Sequence, residues 1–306
     1  MSTVSSRSSA SPHCDHRRDD HLLRLASRLV PLITAGLLLS GCAAHNFGDE
    51  QFRLGMASHG KDVMWVPTKV EMAHQMLAMA EVKPTDIVVD LGSGDGVIPI
   101  EAARKYGVRS VGIEYNPDLV ALSQRNAQRA GVQHLVSLRR GDIFVDDFSE
   151  ATVLTLYLGE SLNTRLRPKL LAMTPGTRIV SNTFRIEAWV PDRELRLNSG
   201  DTAYLWIVPA TLDGDWDITG LPGMPTAQMR IRQKTQFFDG MIDAGTRRRI
   251  EFENGRIRGE EFRFEYTDNS NRRQAVLGRI QGAAFSGSLE GEPSSRVAGK
   301  RAASAR

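Results

Sequence analysis

The chain has 306 residues, of which 41% are hydrophobic and 25% are charged, a composition typical of a globular protein and not of a disordered one. The formal net charge is +3 at pH 7, and much of the basic excess lies near the two ends of the chain. Basic runs at chain ends are usually solvated tails, and no basic patch is interleaved with aromatic residues, so no nucleic-acid partner is expected.

The first 42 residues differ from the rest. A polar leader precedes an apolar stretch over residues 29–39, which has the length of a signal-peptide core and is short for a bilayer span. The stretch ends in "LSGC", which resembles a bacterial lipobox. We therefore predict a lipoprotein-type signal peptide over 1–42, lipidation of Cys42 and a membrane-anchored protein in the cell envelope. An unprocessed leader leaves an inner-membrane anchor or a cytoplasmic location open.

The cysteine and histidine content excludes several kinds of site. The two cysteines are Cys14 and Cys42, and cleavage would leave the second one alone. A disulfide framework and a cysteine nucleophile are therefore not expected. The seven histidines form no cluster at the spacing of metal ligands, so no metal site is predicted.

After a linker over 43–61, residues 62–198 alternate β-rich runs with helical periods. Thr68 and Glu71 have the spacing of a capping box before a first helix, and Asn116-Pro117 has the N-cap and first-residue signals of a later one. The strand candidates are "DIVVD", "SVGIEY", "LVSLRRGDIF", "TVLTLYL" and "GTRIVSNTF". Strands that alternate with helices indicate βαβ units, so we predict an α/β fold with a doubly wound, Rossmann-like parallel sheet.

Residues 199–290 have a different pattern. The runs "TAYLWIVP", "QMRIRQKTQFF" and "RRRIEFENGRIRGEEFRFEY" are strand-like, without intervening helical periods. Asp239-Gly240 and Asn254-Gly255 are typical hairpin-turn pairs. We predict a smaller antiparallel β domain here, either a sandwich or a small barrel, and a flexible tail over 291–306.

The sequence "DLGSGDG", residues 90–96, places three glycines between the first strand and a helix. Such a turn presents backbone N–H groups at a helix N-terminus and is typical of nucleotide sites. A dinucleotide fingerprint requires glycine or alanine where Val97 stands, and a P-loop requires a Gly-Lys-Ser/Thr that is absent. The remaining pattern, an aspartate followed by alternate glycines, resembles motif I of class I S-adenosylmethionine-dependent methyltransferases.

Two later acidic residues extend this resemblance. Glu114 ends the second strand, 24 positions after Asp90, where a carboxylate can accept both ribose hydroxyls. Asp142 follows the third strand, where it can accept from the adenine amino group while Ile143 packs on the ring. The resemblance implies S-adenosylmethionine as the cofactor, and its candidate binding residues are Thr68, Asp90, Gly92, Ser93, Gly94, Glu114, Asp142 and Ile143.

Residues 62–193 are similar to a narrower family, which includes the mitochondrial ATP-synthase c-subunit lysine methyltransferase and its bacterial relatives. The similarity lies in "VPT", "DLGSGDG", "VGIEYNPDLV", "ATVLTLYL", "LRPKLL", "PGTRIVS" and "WVPD". It implies a protein lysine as the methyl acceptor. The chain departs from the family at Lys69, at Gly159-Glu160 and at residues 182–184, on the side where the acceptor is expected.

Catalytic candidates lie around the end of the fourth strand. Tyr157 would orient an acceptor amine through its ring and hydroxyl, or it is a core tyrosine. Glu160 and Asn163 would polarise or orient the acceptor, or they belong to an ordinary helix N-terminus. Trp189 would flank the acceptor channel, or it covers the sheet.

Two kinds of function remain open from the sequence. The first is an S-adenosylmethionine-dependent methyltransferase that acts on a protein lysine or on a small molecule. The second is an envelope lipoprotein whose methyltransferase-like domain serves as a binding or structural module. The second arises because S-adenosylmethionine is made in the cytosol, whereas a lipobox directs the mature chain out of the cytosol.

Overall fold

A computed structural model of the protein describes residues 49, 51, 62–198, 200–245 and 249–303. The predicted signal peptide, Cys42 and most of the predicted linker lie outside these residues. Within the described part of the chain, we find no helix that combines the length and the apolarity needed to cross a membrane.

Helices and strands alternate through the first half of the described chain. In chain order they are α1 (Val70–Met79), β1 (Ile87–Leu91), α2 (Val97–Tyr106), β2 (Arg109–Glu114), α3 (Pro117–Arg129), β3 (Val136–Arg140), β4 (Val153–Leu156), α4 (Glu160–Leu171), β5 (Arg178–Asn182), β6 (Arg193–Arg196) and β7 (Thr202–Ile207). The strands form one sheet in the order β3-β2-β1-β4-β5-β7-β6. Strands β1 to β5 run parallel, β7 is antiparallel to β5, and β6 is antiparallel to β7. The predicted doubly wound α/β fold is confirmed.

Helices cover both faces of this sheet, which explains why its central strands are apolar on both sides. Leu162, Leu166 and Leu170 of α4 are buried against one face, as their shared helical face predicts. On the other face, α1 and α2 bury Leu77 and Ile98 in a second apolar layer. The sequence signals at the start of α3 are also confirmed, because the Asn116 side chain accepts from the N–H of Asp118 at 2.9 Å.

The sequence places residues 202–207 in the β domain, and this prediction is wrong. They form β7, which pairs with β5 through contacts such as Val180 with Leu205. Both faces of β7 are buried, with Ala203 in one apolar layer and Trp206 in the other. The sheet therefore extends beyond the predicted boundary at residue 198. The position of β7 depends on its antiparallel pairing with β5, which comes earlier in the chain. Local sequence patterns do not reveal such long-range pairing.

The later strands form a closed eight-stranded barrel, which decides between the two predicted β architectures. The strands are β8 (Gly214–Leu221), β9 (Met224–Lys234), β10 (Phe237–Asp243), β11 (Arg249–Arg258), β12 (Glu261–Thr267), β13 (Arg273–Gln281), β14 (Ala284–Leu289) and β15 (Glu292–Arg301). The prediction of a flexible tail over residues 291–306 is wrong for residues 292–301, which form β15. These residues close the barrel by pairing with β14 and β8, and Val297 is buried in its core.

The two predicted hairpin turns of this domain are also corrected. Gly240 lies within β10 and Gly255 within β11, each at a shift in strand register. A Cβ on Gly240 would lie 2.5 Å from the Phe252 ring, and one on Gly255 would lie 2.6 Å from the Phe238 ring. These glycines make room for the aromatic core of the barrel and mark bulges in the strands.

The barrel contacts the segment that links β5 to β6. The Gln236 side chain donates to the Val190 carbonyl at 2.5 Å, and Arg256 donates to the Asp192 carboxylate at 2.8 Å. The Asp192 side chain is 4% exposed and also accepts from the N–H of Ile207. These contacts hold the segment after β5 against the barrel.

Candidate active site

The glycine turn lies where the strand order reverses between β1 and β4, the place at which open α/β sheets bind ligands. Gly92, Gly94 and Gly96 have φ values of +74°, +52° and +83°, a region that favours glycine. A Cβ on Gly94 would lie 2.6 Å from the Trp65 indole nitrogen, and one on Gly92 would lie 2.4 Å from the Leu158 side chain. Both the backbone conformation and the close packing therefore require glycine.

Asp90 lies at the carboxyl end of β1 and is 3% exposed. The Thr155 hydroxyl donates to its carboxylate at 2.6 Å. Burial raises the pKa of Asp90 to about 7, and the negative charges of Glu114 and Asp95 act in the same direction. A cation bound nearby would favour the ionised carboxylate. Thr155 has no local signal in the sequence, because its pairing with Asp90 joins positions 65 residues apart.

Glu114 joins the glycine turn to the end of β2. One carboxylate oxygen accepts from the N–H of Gly94 and the other from the N–H of Asn116, each at 2.9 Å. A carboxylate has about four acceptor positions, so each oxygen retains one for a ligand hydroxyl. This geometry suits the two hydroxyls of a ribose.

Further hydrogen bonds hold the glycine turn after β1 and the turn after β3. The Asn126 side chain donates to the Asp95 carbonyl at 2.9 Å and so holds the glycine turn. After β3, the N–H of Asp142 donates to the Asp146 carboxylate at 2.5 Å, and the Asp142 carboxylate accepts from Phe144 at 3.0 Å. Ile143, which follows Asp142, lines the same cleft.

All eight predicted cofactor residues line one cleft, and Tyr157 lines it too. The cleft also includes residues that the sequence analysis missed, among them Met64, Trp65, Tyr115, Leu119 and Leu158. The apolar run before α1 was the available signal for Trp65. Thr68 lines the cleft but does not cap α1, because the N-cap is Lys69 and none of the described side chains bonds the helix end. The capping-box prediction is therefore wrong.

Glu160 and Asn163 are not among the residues that line the cleft, and their role toward the acceptor stays a prediction. Glu160 is exposed as the first residue of α4. Asn163, one turn later, points into the core, where its side chain donates to the Ser181 hydroxyl at 2.9 Å and the Phe184 carbonyl at 3.1 Å. Asn163 thus supports the segment after β5.

Trp189 covers the sheet, as in the second of its two interpretations. It is 2% exposed, its ring centroid lies 6.2 Å from that of Trp206, and its carbonyl accepts from the Trp206 indole at 2.9 Å.

Tyr157 follows β4 and stacks on Phe184, with ring centroids 5.9 Å apart. Burial raises the pKa of the Tyr157 hydroxyl above its usual value, and the charge of Asp201 adds to this effect. The hydroxyl is therefore neutral near pH 7. It can donate or accept a hydrogen bond there, but it is not a phenolate base.

The cleft fits S-adenosylmethionine in each of its parts. The glycine turn has no room for side chains and Gly92 is exposed, Glu114 retains acceptor positions for ribose, and Ile143 and Phe144 offer apolar surface to a purine. Buried carboxylates such as Asp90 complement the positive charge of a sulfonium and an ammonium group. Thr68, Asp142 and Ser93 complete the predicted set.

Comparison with known proteins agrees with this geometry. The profile of a family described as "ANTKMT methyltransferase domain" matches residues 90–193. A protein-lysine N-methyltransferase of Saccharolobus islandicus is 38% identical over 156 residues, which are 49% of this chain and 97% of that protein. The ATP synthase C-subunit lysine N-methyltransferase of Xenopus laevis is 35% identical over 129 residues, which are 42% of this chain and 56% of that protein.

A solved structure is also similar in sequence. It is described as an RNA methyltransferase from Salinibacter ruber in complex with S-adenosyl-L-homocysteine, and it is 51% identical over 48% of this chain and 96% of that one, with a TM-score of 0.47. The chain thus spans nearly all of the Saccharolobus relative but about half of the Xenopus protein. It belongs to the family of S-adenosylmethionine-dependent methyltransferases that includes these protein-lysine N-methyltransferases.

Proposed function

We propose that the protein transfers a methyl group to the side-chain amine of a protein lysine. The names of its relatives support this substrate class. The observation that carries the proposal is the position of Tyr157, an aromatic residue with a neutral hydroxyl, in the same cleft as the cofactor residues. An amine acceptor requires desolvation and alignment, whereas a hydroxyl acceptor would require a general base.

When bound, S-adenosylmethionine would supply a methyl group on a positively charged sulfonium. The lone pair of the lysine nitrogen would form the new carbon–nitrogen bond, and the electrons of the broken carbon–sulfur bond would stay on sulfur. The chain holds the reacting groups in line. Glu114 and the glycine turn fix the nucleoside end, and the Tyr157 hydroxyl accepts one N–H of the amine and so directs the lone pair. Trp65 and Leu158 exclude water from the cleft. The apolar surroundings lower the pKa of the lysine, which therefore enters as the neutral amine.

We also propose, from the leader alone, that the mature protein is anchored in the cell envelope through a lipid on Cys42. An envelope protein with a lysine in reach of the cleft is then the expected substrate.

Transfer of labelled methyl tests the proposed reaction. The protein is incubated with methyl-labelled S-adenosylmethionine and a bacterial envelope extract, and the products are separated and hydrolysed in acid. We expect label in methyl-lysine, and none above background with Glu114→Ala, which loses the ribose contacts. Label confined to a small molecule or to RNA would contradict the lysine assignment. Cofactor binding without any transfer would favour the alternative of a binding or structural module.

A further inference from the structure

Two polar side chains at the carboxyl end of β5 are buried without a hydrogen-bond partner. Asn182 is fully buried, and neither its carboxamide oxygen nor its nitrogen is bonded within the described part of the chain. The hydroxyl of Thr183, the next residue, is likewise buried and unbonded there. Burial removes the hydrogen bonds that water would make, so such groups destabilise a fold unless a ligand satisfies them.

These groups lie beside the candidate active site. Leu156 of β4 is the register partner of Ser181 of β5, and Tyr157 and Asn182 each follow one residue later. Tyr157 and Asn182 therefore lie next to each other at the carboxyl edge of the sheet. Phe184, two residues after Asn182, stacks on Tyr157 with ring centroids 5.9 Å apart.

The backbone here is held in a strained conformation. Thr183 has a φ of +65°, which is unfavourable for a β-branched residue. Three hydrogen bonds maintain it: Thr183 N–H to Thr202 carbonyl at 2.8 Å, Phe184 N–H to Asn182 carbonyl at 2.7 Å, and Asn163 side chain to Phe184 carbonyl at 3.1 Å. Strain of this kind is concentrated at functional sites. The fold keeps this segment in place and leaves its side-chain groups unsatisfied.

The free groups match the chemistry of an amine. A neutral lysine amine has two N–H groups; the Tyr157 hydroxyl accepts one of them, and the side-chain oxygen of Asn182 or Thr183 can accept the other. Both oxygens are neutral, so they bind a neutral amine without the stabilisation of the ammonium form that a carboxylate would give. The geometry points to Asn182 and Thr183, beside Tyr157 at the carboxyl edge of the sheet, as the subsite that receives the acceptor amine. This inference rests on the proposed function and names the groups that would hold its substrate.

The test replaces Asn182 with valine in the full chain, with Asn163→Val as the matched control. Both residues are asparagines with no exposed surface, but Asn163 makes hydrogen bonds through its side chain and Asn182 makes none within the described residues. We expect Asn182→Val to keep or raise the melting temperature and to bind S-adenosylmethionine with an affinity within twofold of wild type. In the labelled-methyl assay, its kcat/KM for the lysine-containing protein substrate should fall at least tenfold. Asn163→Val should melt at a lower temperature.

A second variant, Thr183→Val, removes the hydroxyl and keeps the branched shape. We expect a fall of at least threefold in kcat/KM for lysine with unchanged cofactor affinity. Wild-type turnover in both Asn182→Val and Thr183→Val, or a melting temperature of Asn182→Val as low as that of Asn163→Val, would overturn the subsite. If wild-type protein labels no lysine, the proposed function fails and the amine assignment fails with it.

Discussion

Replacement of Glu114 by glutamine tests the nucleoside end of the site. The change converts one carboxylate oxygen into an amide nitrogen, which cannot accept from the N–H of Gly94 or Asn116. The side chain also loses its charge and one acceptor for a ribose hydroxyl. A hydrogen bond to a charged group contributes about 1.5–3 kcal/mol, and tenfold in affinity corresponds to about 1.4 kcal/mol. We therefore expect Glu114→Gln to weaken S-adenosylmethionine binding by about ten- to a hundredfold.

Isothermal titration calorimetry measures this loss directly, and circular dichroism checks that the variant stays folded. Glu160→Gln is the matched control, because Glu160 lies outside the cleft and should keep wild-type affinity for the cofactor. Wild-type affinity in a folded Glu114→Gln protein would refute the assignment of the ribose contacts.

Four further predictions concern other residues. Because the Asp90 carboxyl has a pKa of about 7 without ligand and a cationic cofactor favours its ionised form, affinity measured by calorimetry should rise as the pH rises from 5.5 to 7.5, and Asp90→Asn should flatten that rise. Gly94→Ala should weaken cofactor binding at least tenfold, since its Cβ would lie against Trp65; equal affinity in a titration would contradict this. Tyr157→Phe should keep cofactor affinity and lower turnover at least tenfold in the labelled-methyl assay. Cys42→Ser should prevent lipid attachment, and mass spectrometry that finds an unmodified Cys42 in the native mature protein would count against the predicted anchor.

The cofactor side of the cleft could be predicted because its signals are local. The glycine turn follows a short apolar strand, and its φ values require the residue type that the sequence provides. Glu114 is the last residue of β2 and Asp142 lies two residues after the end of β3, and parallel strands bring their carboxyl ends to one edge of the sheet. The order of these motifs along the chain was therefore enough to place them in one cleft.

The acceptor side and the barrel depend on long-range contacts, which explains the corrections there. Asn163 turns into the core because α4 packs over Ser181 and Phe184, about twenty residues later. Gly240 and Gly255 have the sequence context of turn residues. In the fold they lie within strands, where the Phe252 and Phe238 rings of neighbouring strands pack against them. The strands at 202–207 and 292–301 likewise owe their positions to distant partners.

Tandem mass spectrometry of the labelled envelope proteins tests most directly whether this cleft methylates lysine. Wild-type and Glu114→Ala proteins are compared with the same extract and cofactor. We predict fragment ions that place the methyl label on the side-chain nitrogen of a lysine, with wild-type protein and not with the variant. Label on another residue, on RNA or on a small molecule, with no methyl-lysine, would contradict the claim.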